Sequence, residues 1–348
     1  HISLGAKDAH PVFSAIARIK YTFLNKLEKE MEPEAYGLMA GMLFGDCSDI
    51  GDDTYEAFQK NGIAHILSVS GIHVGIVYLF IGRISGNRKT RTFYLITALF
   101  LVLYAALSEF SPSVVRAVVM ILIHMFSKVS YRRYDFLTCT SAGALGMLVV
   151  NPFYLFNAGF QLSFLAVFCL ASGLPWINRR IDILEEKGKN EWMTIGLRGF
   201  SPLLLIQAGM APLTAYMFNY FSVASFFLNP PIIAISGAII PLGIGMLPLS
   251  FLGGPVFGVS AQAAELLIRI MLWLNELFYL PGLGFFNVVS PTVSFLLIFY
   301  GLFFFLTSEG FRILYQRRKG KAIIACFGLI VIVSLLASGT ADGGRPQA

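Results

Sequence analysis

From residue 61 onward the chain is a succession of apolar runs, at 61–82, 93–107, 112–126, 136–150, 153–175, 193–218, 221–252, 257–280, 291–307 and 322–338, joined by short polar or basic loops. About 20 apolar residues in a helix cross the ~30 Å hydrocarbon core of a bilayer, so such runs in series read as a multi-spanning membrane protein. With 56% hydrophobic and 13% charged residues, against about 25% charged in soluble domains, a soluble globule is excluded. The expected fold class is all-α: a polytopic membrane helical bundle of roughly nine spans, with broken or re-entrant helices and an N-terminal amphipathic helix.

Lysine and arginine sort the loops. Arg83, Arg88, Lys89 and Arg91 follow the first run, Lys128, Arg132 and Arg133 follow the third, and a mixed-charge loop occupies 179–191. Alternating spans put all three on one side, as cytoplasmic loops lie under the positive-inside rule. The basic loop 312–321 joins them, which leaves the tail 339–348 outside. The net charge of +6 thus has a topological cause and is weak ground for an anionic partner. Cys47, Cys139, Cys169 and Cys326 show no metal-ligand spacing and read as small buried hydrophobes. The sequence opens with neither a Met nor a signal-type segment, and reads as a fragment of something longer.

Residues 12–31 set Val12, Phe13, Ile16, Ile19, Phe23, Leu24, Leu27 and Met31 near one helical face, with Arg18, Lys20, Lys26 and Lys29 largely elsewhere. An amphipathic helix is expected there, at the membrane surface or in a partner groove. On the alternation above it lies on the outer side, which the positive-inside rule does not favour. Residues 35–45 are apolar but too short to span, so a half-helix or re-entrant piece is expected, followed by the acidic loop 46–53 and a short polar helix at 55–60. The expected organisation is a surface helix and linker at 1–33, a channel-type transmembrane domain at 34–310, a basic loop and final helix at 311–338 and a flexible tail at 339–348.

Polar groups inside such a chain are costly unless they meet partners or line a wet cavity, and default to a functional reading. The densest set is at 61–75, with His65, Ser68, Ser70, His73 and three glycines. Gly71 and Gly75 are four apart, a spacing that permits close helix approach. Arg116 lies one turn inside a span, where its guanidinium needs an acid, carbonyls, water or phosphate. Gln161 and Ser163 sit in another span as interhelical glue or substrate contacts. Glu265 and Arg269 can pair at i,i+4. In 221–252, Asn229, Pro230, Pro231, Pro241 and Pro248 interrupt the run, and a discontinuous helix is expected.

Ser70, His73 and Asp46 are the residue types of a Ser/His/Asp set, but Ser-Val-Ser-Gly is not a nucleophile elbow. His65 and His73, eight apart, could face one cavity on a helix, yet metal binding needs further ligands and no His-Glu-x-x-His pattern is present. No catalytic residue, metal or cofactor is assigned. No phosphate-binding Gly-x-x-x-x-Gly-Lys loop occurs, so a translocator would draw its energy from elsewhere.

Several motifs occur together in order: Gly41-Met42-Leu43-Phe44-Gly45-Asp46, Gly62-Ile63-Ala64-His65-Ile66-Leu67-Ser68-Val69-Ser70-Gly71-Ile72-His73, Ser111-Pro112-Ser113-Val114-Val115-Arg116-Ala117, and Asn151-Pro152 with Gly159-Phe160-Gln161-Leu162-Ser163-Phe164. Ala211-Pro212-Leu213-Thr214 and Asn229-Pro230 follow. Over about residues 38–310 this resembles the competence domain of the ComEC family. The resemblance implies an inner-membrane, multi-pass channel that brings one DNA strand into a naturally competent bacterium. Family members usually add an outer OB-like domain before this region and a metallo-β-lactamase-like nuclease domain after it. No His-x-His-x-Asp-His motif occurs in this sequence. The partners implied are single-stranded DNA, the lipid bilayer, a DNA-uptake receptor, a cytoplasmic translocation ATPase, the nuclease domain and, as an open alternative, further copies of the chain.

A polyanion needs a wet path of weak, repeated contacts, since tight sites would stall it. The candidate lining is His65, Ser68, Ser70, His73, Arg116, Gln161, Ser163 and Asn229, with Phe160 and Tyr216 as candidate base-stacking rings. Gly45, Asp46, Gly62, Gly71, Gly75, Pro112 and Pro230 are the structural motif residues. Two other readings stay open: a small-solute secondary transporter with a midplane site, and an intramembrane hydrolase using Ser70 and His73.

Overall fold

The twelve-residue helix α2 (Pro33–Phe44) is apolar on every side and buries nine of its residues. At 1.5 Å per residue it is about 18 Å long, too short to cross a bilayer. Pro33 opens it and Gly45 closes it, in the left-handed region at φ 82°, with its N–H on the Gly41 carbonyl. The chain then doubles back along the helix. A Cβ on Gly37 would fall 2.4 Å from the Asp49 carbonyl oxygen, and one on Gly41 2.3 Å from that of Leu67. Absent side chains at these two positions let backbone pass against backbone.

This computed structural model describes residues 11–85, 90–131, 135–186, 188, 190–252, 254–279 and 284–307. The basic loop 312–321, the last expected run at 322–338 and the tail lie outside the described residues, as do Arg88, Lys89, Arg132 and Arg133. The chain forms two units. The first holds α1 (Pro11–Leu27), α2, α3 (Asp52–Lys60), a 3-10 turn (Ala64–Ile66), α4 (Gly71–Ile84), α5 (Arg91–Leu107), α6 (Pro112–Val129), α10 (Ala224–Leu252) and α11 (Pro255–Phe278). The second holds α8 (Ala158–Glu186), α9 (Glu191–Phe218) and α12 (Val293–Thr307). The remaining elements are α7 (Phe136–Val150), a 3-10 turn (Pro152–Phe156) and the short paired strands β1 (Tyr220–Ser222) and β2 (Phe285–Asn287).

Among the described residues, five helices are long and apolar enough to cross a membrane, namely α6, α8, α9, α10 and α11, and α4, α5, α7 and α12 are shorter apolar helices. The protein is therefore an all-α polytopic bundle, and these nine elements fall on nine of the ten expected runs.

Two local expectations change. The run 221–252 is one continuous helix although Pro230, Pro231, Pro241 and Pro248 lie inside it. Each proline removes one N–H from the ladder, but the helix is clamped by packing: Leu228, Ile232, Ile239, Ile240 and Met246 are fully buried. Gly243 lies within 2.7 Å of Leu43 and Met39 of α2, measured from where its Cβ would be. Neighbouring helices hold such segments straight where water would let them break.

The amphipathic α1 is a surface helix only at its start. Phe13 and Ile19 are exposed, while Phe23, Leu24 and Leu27 are buried, and Phe23 meets Phe44 and Phe257 edge to face at 5.8 and 6.2 Å. Lys20 is buried too, its Nζ 2.7 Å from Glu109 beyond the end of α5, and Lys26 donates to the Ser250 carbonyl of α10.

In the second unit, α8 and α9 pack along each other, and α12 packs on both. A Cβ at Gly209 would fall 2.4 Å from the Cys169 sulfur, and Tyr300 donates to the Gly209 carbonyl at 2.9 Å. Arg198 pairs with Asp182 at 2.6 Å and Glu185 at 2.8 Å across the α8–α9 hairpin.

Gly41→Ala is expected to lower the thermal unfolding midpoint of the detergent-purified protein by several degrees, because overpacking of this kind costs about 1–3 kcal/mol. Gly75→Ala adds its methyl to open space and is expected to leave the midpoint unchanged or raise it, Ala being the better helix former. Equal behaviour of the two variants would remove the backbone contact at Gly41 as a determinant of the fold.

Candidate functional site: a polar turn ahead of a membrane helix

The stretch 61–73 is a sequence of backbone decisions. Helix α3 ends in a Schellman arrangement: Gly62, at φ 73°, donates to the Gln59 carbonyl, and Ile63 donates to that of Phe58, both at 2.9 Å. Ile63 and Phe58, the pair such a cap brings together, are fully buried. A Cβ at Gly62 would fall 2.9 Å from Ser225 Cβ and 3.1 Å from Ser222 Cβ, so glycine is required twice over. The 3-10 turn follows, with Ile66 and Leu67 buried and His65 exposed, then Ser68 exposed and Val69 buried.

Ser70 caps α4 and His73 stands at the third helical position, where a capping box usually has Glu or Gln. The His73 Nδ1 accepts the Ser70 N–H at 3.3 Å. That places the ring proton on Nε2, and the ring is fully buried beside the Met42 carbonyl of α2. His65 and His73 therefore do not share a helical face, since the helix begins between them. The hydrolase reading also loses its geometry. The basic nitrogen of His73 faces a backbone N–H, and Asp46 accepts from the Ser48 hydroxyl at 2.6 Å.

Helix α6 begins at Pro112, in the first helical position, and is joined to this turn by Ser113, whose hydroxyl donates to the Val69 carbonyl at 2.9 Å. One turn on, Ala117 lies 3.7 Å from where a Gly71 Cβ would be. Arg116, next to Ala117 and three residues after Ser113, is buried at 4% exposure. Asn229 is buried in α10, and its Oδ1 has no hydrogen-bond partner among the described residues. A Cβ on Gly75 would meet nothing within 4 Å, so the close-approach pair is Gly37/Gly41 and not Gly71/Gly75.

Gln161 and Ser163 belong to the second unit. Gln161 donates to the Leu155 carbonyl at 2.7 Å, and the Asn157 side chain accepts from Phe160 N–H at 3.1 Å, together fastening the 3-10 turn to the start of α8. Ser163 is half-buried. Phe160 is buried between Tyr154 and Phe164, with ring centroids 6.4 and 4.5 Å away, and is spent on packing; Tyr216 is exposed. Among the described residues, no group of three His, Cys, Asp or Glu side chains could hold a metal ion.

Sequence reasoning passed over Asn275 here. Asn275 of α11 accepts from the Asn61 Nδ2 with both its backbone and side-chain oxygens at 2.8 Å, and both residues are buried. A lone amide in an apolar run was the available signal. Cys47, expected to be a small buried hydrophobe, is half-buried: its thiol donates to the Leu67 carbonyl at 3.4 Å, and burial, aided by the neighbouring Asp46 charge, pushes its pKa up.

The sequence profile of the family described as "Competence protein" matches residues 42–311, which includes this turn, α6 and α10. The chain belongs to the competence protein family. Among similar competence-family and related proteins are "ComE operon protein 3" of Bacillus subtilis, 31% identical over 213 residues, and "Recombination protein 2" of Haemophilus influenzae, 25% identical over 230. "Competence protein ComA" of Neisseria gonorrhoeae is 26% identical over 262 residues. The matches cover 60%, 62% and 70% of this chain but 25%, 28% and 34% of those relatives, so the chain spans a quarter to a third of their length. No solved structure matches it.

The Cys47 environment of this competence domain is open to direct measurement. A raised pKa leaves less thiolate at neutral pH, so with Cys139, Cys169 and Cys326 replaced by Ala, iodoacetamide should alkylate Cys47 more slowly than a free thiol. Its rate should continue to climb at pH values where an ordinary thiol has levelled off. A rate and pH profile equal to those of a small thiol would contradict the burial of Cys47 against Leu67.

Proposed function

We propose that this competence-family chain forms part of the path by which single-stranded DNA crosses the bacterial cytoplasmic membrane during natural transformation. The observation that carries the reading is the buried Arg116 of α6, a charge held between Ser113, which bonds to the Val69 carbonyl, and Ala117, which packs at Gly71, while His65 and Ser68 are exposed in the turn ahead of α4. A guanidinium inside an apolar bundle is retained where it meets polar groups or a charged ligand in transit. Arg116, His65, Ser68 and Asn229 are the lining we assign, all in the first unit; Gln161 and Ser163 belong to the second unit, where Gln161 fastens a local turn. Ser70 and His73 shape the turn through the cap of α4 and contribute to the path through its position.

In this reading the surface receptor that delivers DNA, the nuclease domain that removes one strand and a cytoplasmic ATPase that draws the other inward are separate partners. The channel supplies a route, with weak phosphate contacts that do not stall a polyanion. The continuous α10 gives no unwound backbone at which a small solute or coupling ion would be held, which is the structural basis of the transporter alternative.

The test uses the full-length protein in competent cells, with membrane levels of each variant checked by immunoblot. His65→Ala, Arg116→Gln and Asn229→Leu should each reduce transformation and protected intracellular DNA by about tenfold or more, the factor that ~1.4 kcal/mol represents, while DNA still binds the cell surface. Arg116→Lys should fall between, keeping charge but losing the planar fork. Normal transformation by all three variants at normal protein level would sink the assignment of this lining.

A further inference from the structure

Two adjoining residues pin the polar turn to two successive helices. Gly62 lies against Ser222 and Ser225 at the start of α10, with the approach of 2.9 Å given above. Asn61 donates through Nδ2 to Asn275 of α11, to the backbone oxygen and to Oδ1, each at 2.8 Å. Asn61 is fully buried and Asn275 nearly so. The exposed His65 follows three residues after this pin.

We propose that Asn275 is a positioning residue that aims the His65 turn, through a buried amide clasp with Asn61. The clasp is polar and directional. Apolar packing at Ile63, Ile66 and Leu67 would hold the turn against the bundle without fixing its rotation, whereas two hydrogen bonds from one amide to one residue fix both distance and angle. The clasp is also asymmetric. Asn61 supplies the donor and Asn275 both acceptors, while the Asn61 Oδ1 is buried without a partner among the described residues.

That asymmetry makes isosteric substitutions diverge. Asn61→Asp replaces the donor with an acceptor facing two acceptors, and Asn275→Asp keeps the Oδ1 that receives the bond. The experiment places a single cysteine at position 65 (His65→Cys) in the otherwise cysteine-free full-length protein, in native membranes, and measures its labelling rate with a membrane-impermeant maleimide. Asn61→Asp is expected to shift that rate by about tenfold, the scale of one lost buried hydrogen bond. Asn275→Leu, which keeps the volume and the main-chain acceptor, should give a smaller shift in the same direction, and Asn275→Asp should label as the parent does.

An unchanged rate in both Asn61→Asp and Asn275→Leu overturns the proposal, as does a parent that is not labelled. Should Asn61→Asp not accumulate, Asn275→Leu against Asn275→Asp decides alone. The labelling readout stands apart from the proposed DNA path, on which the functional consequence rests. If labelling moves while DNA uptake stays normal in the same Asn275 variants on the His65 background, the clasp holds and the path through this turn fails. If labelling does not move, the clasp fails whatever uptake does.

Discussion

The contact of α2 with its own returning chain is the constraint on which the rest of the first unit depends. Between apolar elements in a membrane there is no hydrophobic gain from association, so close approach through small residues and hydrogen bonding must supply the stability. Gly37 and Gly41 provide that approach to Asp49 and Leu67, and Gly45 provides the reversal that makes it sterically possible. Once Leu67 is seated on α2, Val69 is in place to receive the Ser113 hydroxyl, which sets the start of α6 against the start of α4. On its other side α2 meets α10 at Gly243. One short helix that does not span thereby registers three that carry the candidate site.

Polar groups in the bundle divide into two kinds. Thr97, Ser108, Thr140 and Ser236 donate to the carbonyl four residues back in their own helices, at 2.7–3.0 Å. Bonds of this sort satisfy the hydroxyl locally and fix nothing beyond the turn they sit in. The second kind reaches another element: Asn61 to Asn275, Ser113 to Val69, Tyr300 to Gly209, and Lys20 to Glu109. These determine tertiary arrangement. Composition does not distinguish the two kinds, because serine is common to both.

The apolar runs made the bundle legible, since length and hydropathy alone dictate that backbone groups pair within helices. What lay between the runs was harder. Treating 61–75 as the start of one helix put both histidines on a common cylinder, although Asn61-Gly62 closes a helix and Ser70 opens another. Ile63, Ile66 and Leu67 carry the apolar run across both caps, so hydropathy alone does not show the break. The glycines at 71 and 75 have the same spacing as those at 37 and 41, and spacing alone does not reveal which glycines face a neighbour. Arg116 stands out in the sequence by the cost of its charge, and the structure buries it, while Asn275 is less conspicuous than Glu265, Arg269 and Glu276 of the same helix.

Proline count misled for a physical reason that also bears on function. In water, four prolines in 29 residues would break a helix, because each costs about 3 kcal/mol in a helix interior. In the bundle the alternative conformation must expose backbone groups to apolar neighbours, which is costlier still. Helix α10 therefore stays whole, with Leu228, Ile232, Ile239 and Ile240 on one buried face. A broken helix would have offered carbonyl dipoles as a fixed ion or solute site. A whole one offers side chains, and among its buried ones Asn229 is the largest polar group. A path built from separated side chains presents isolated, weak contacts to a moving strand, which is what passage of a polyanion requires and what a tight solute site would prevent.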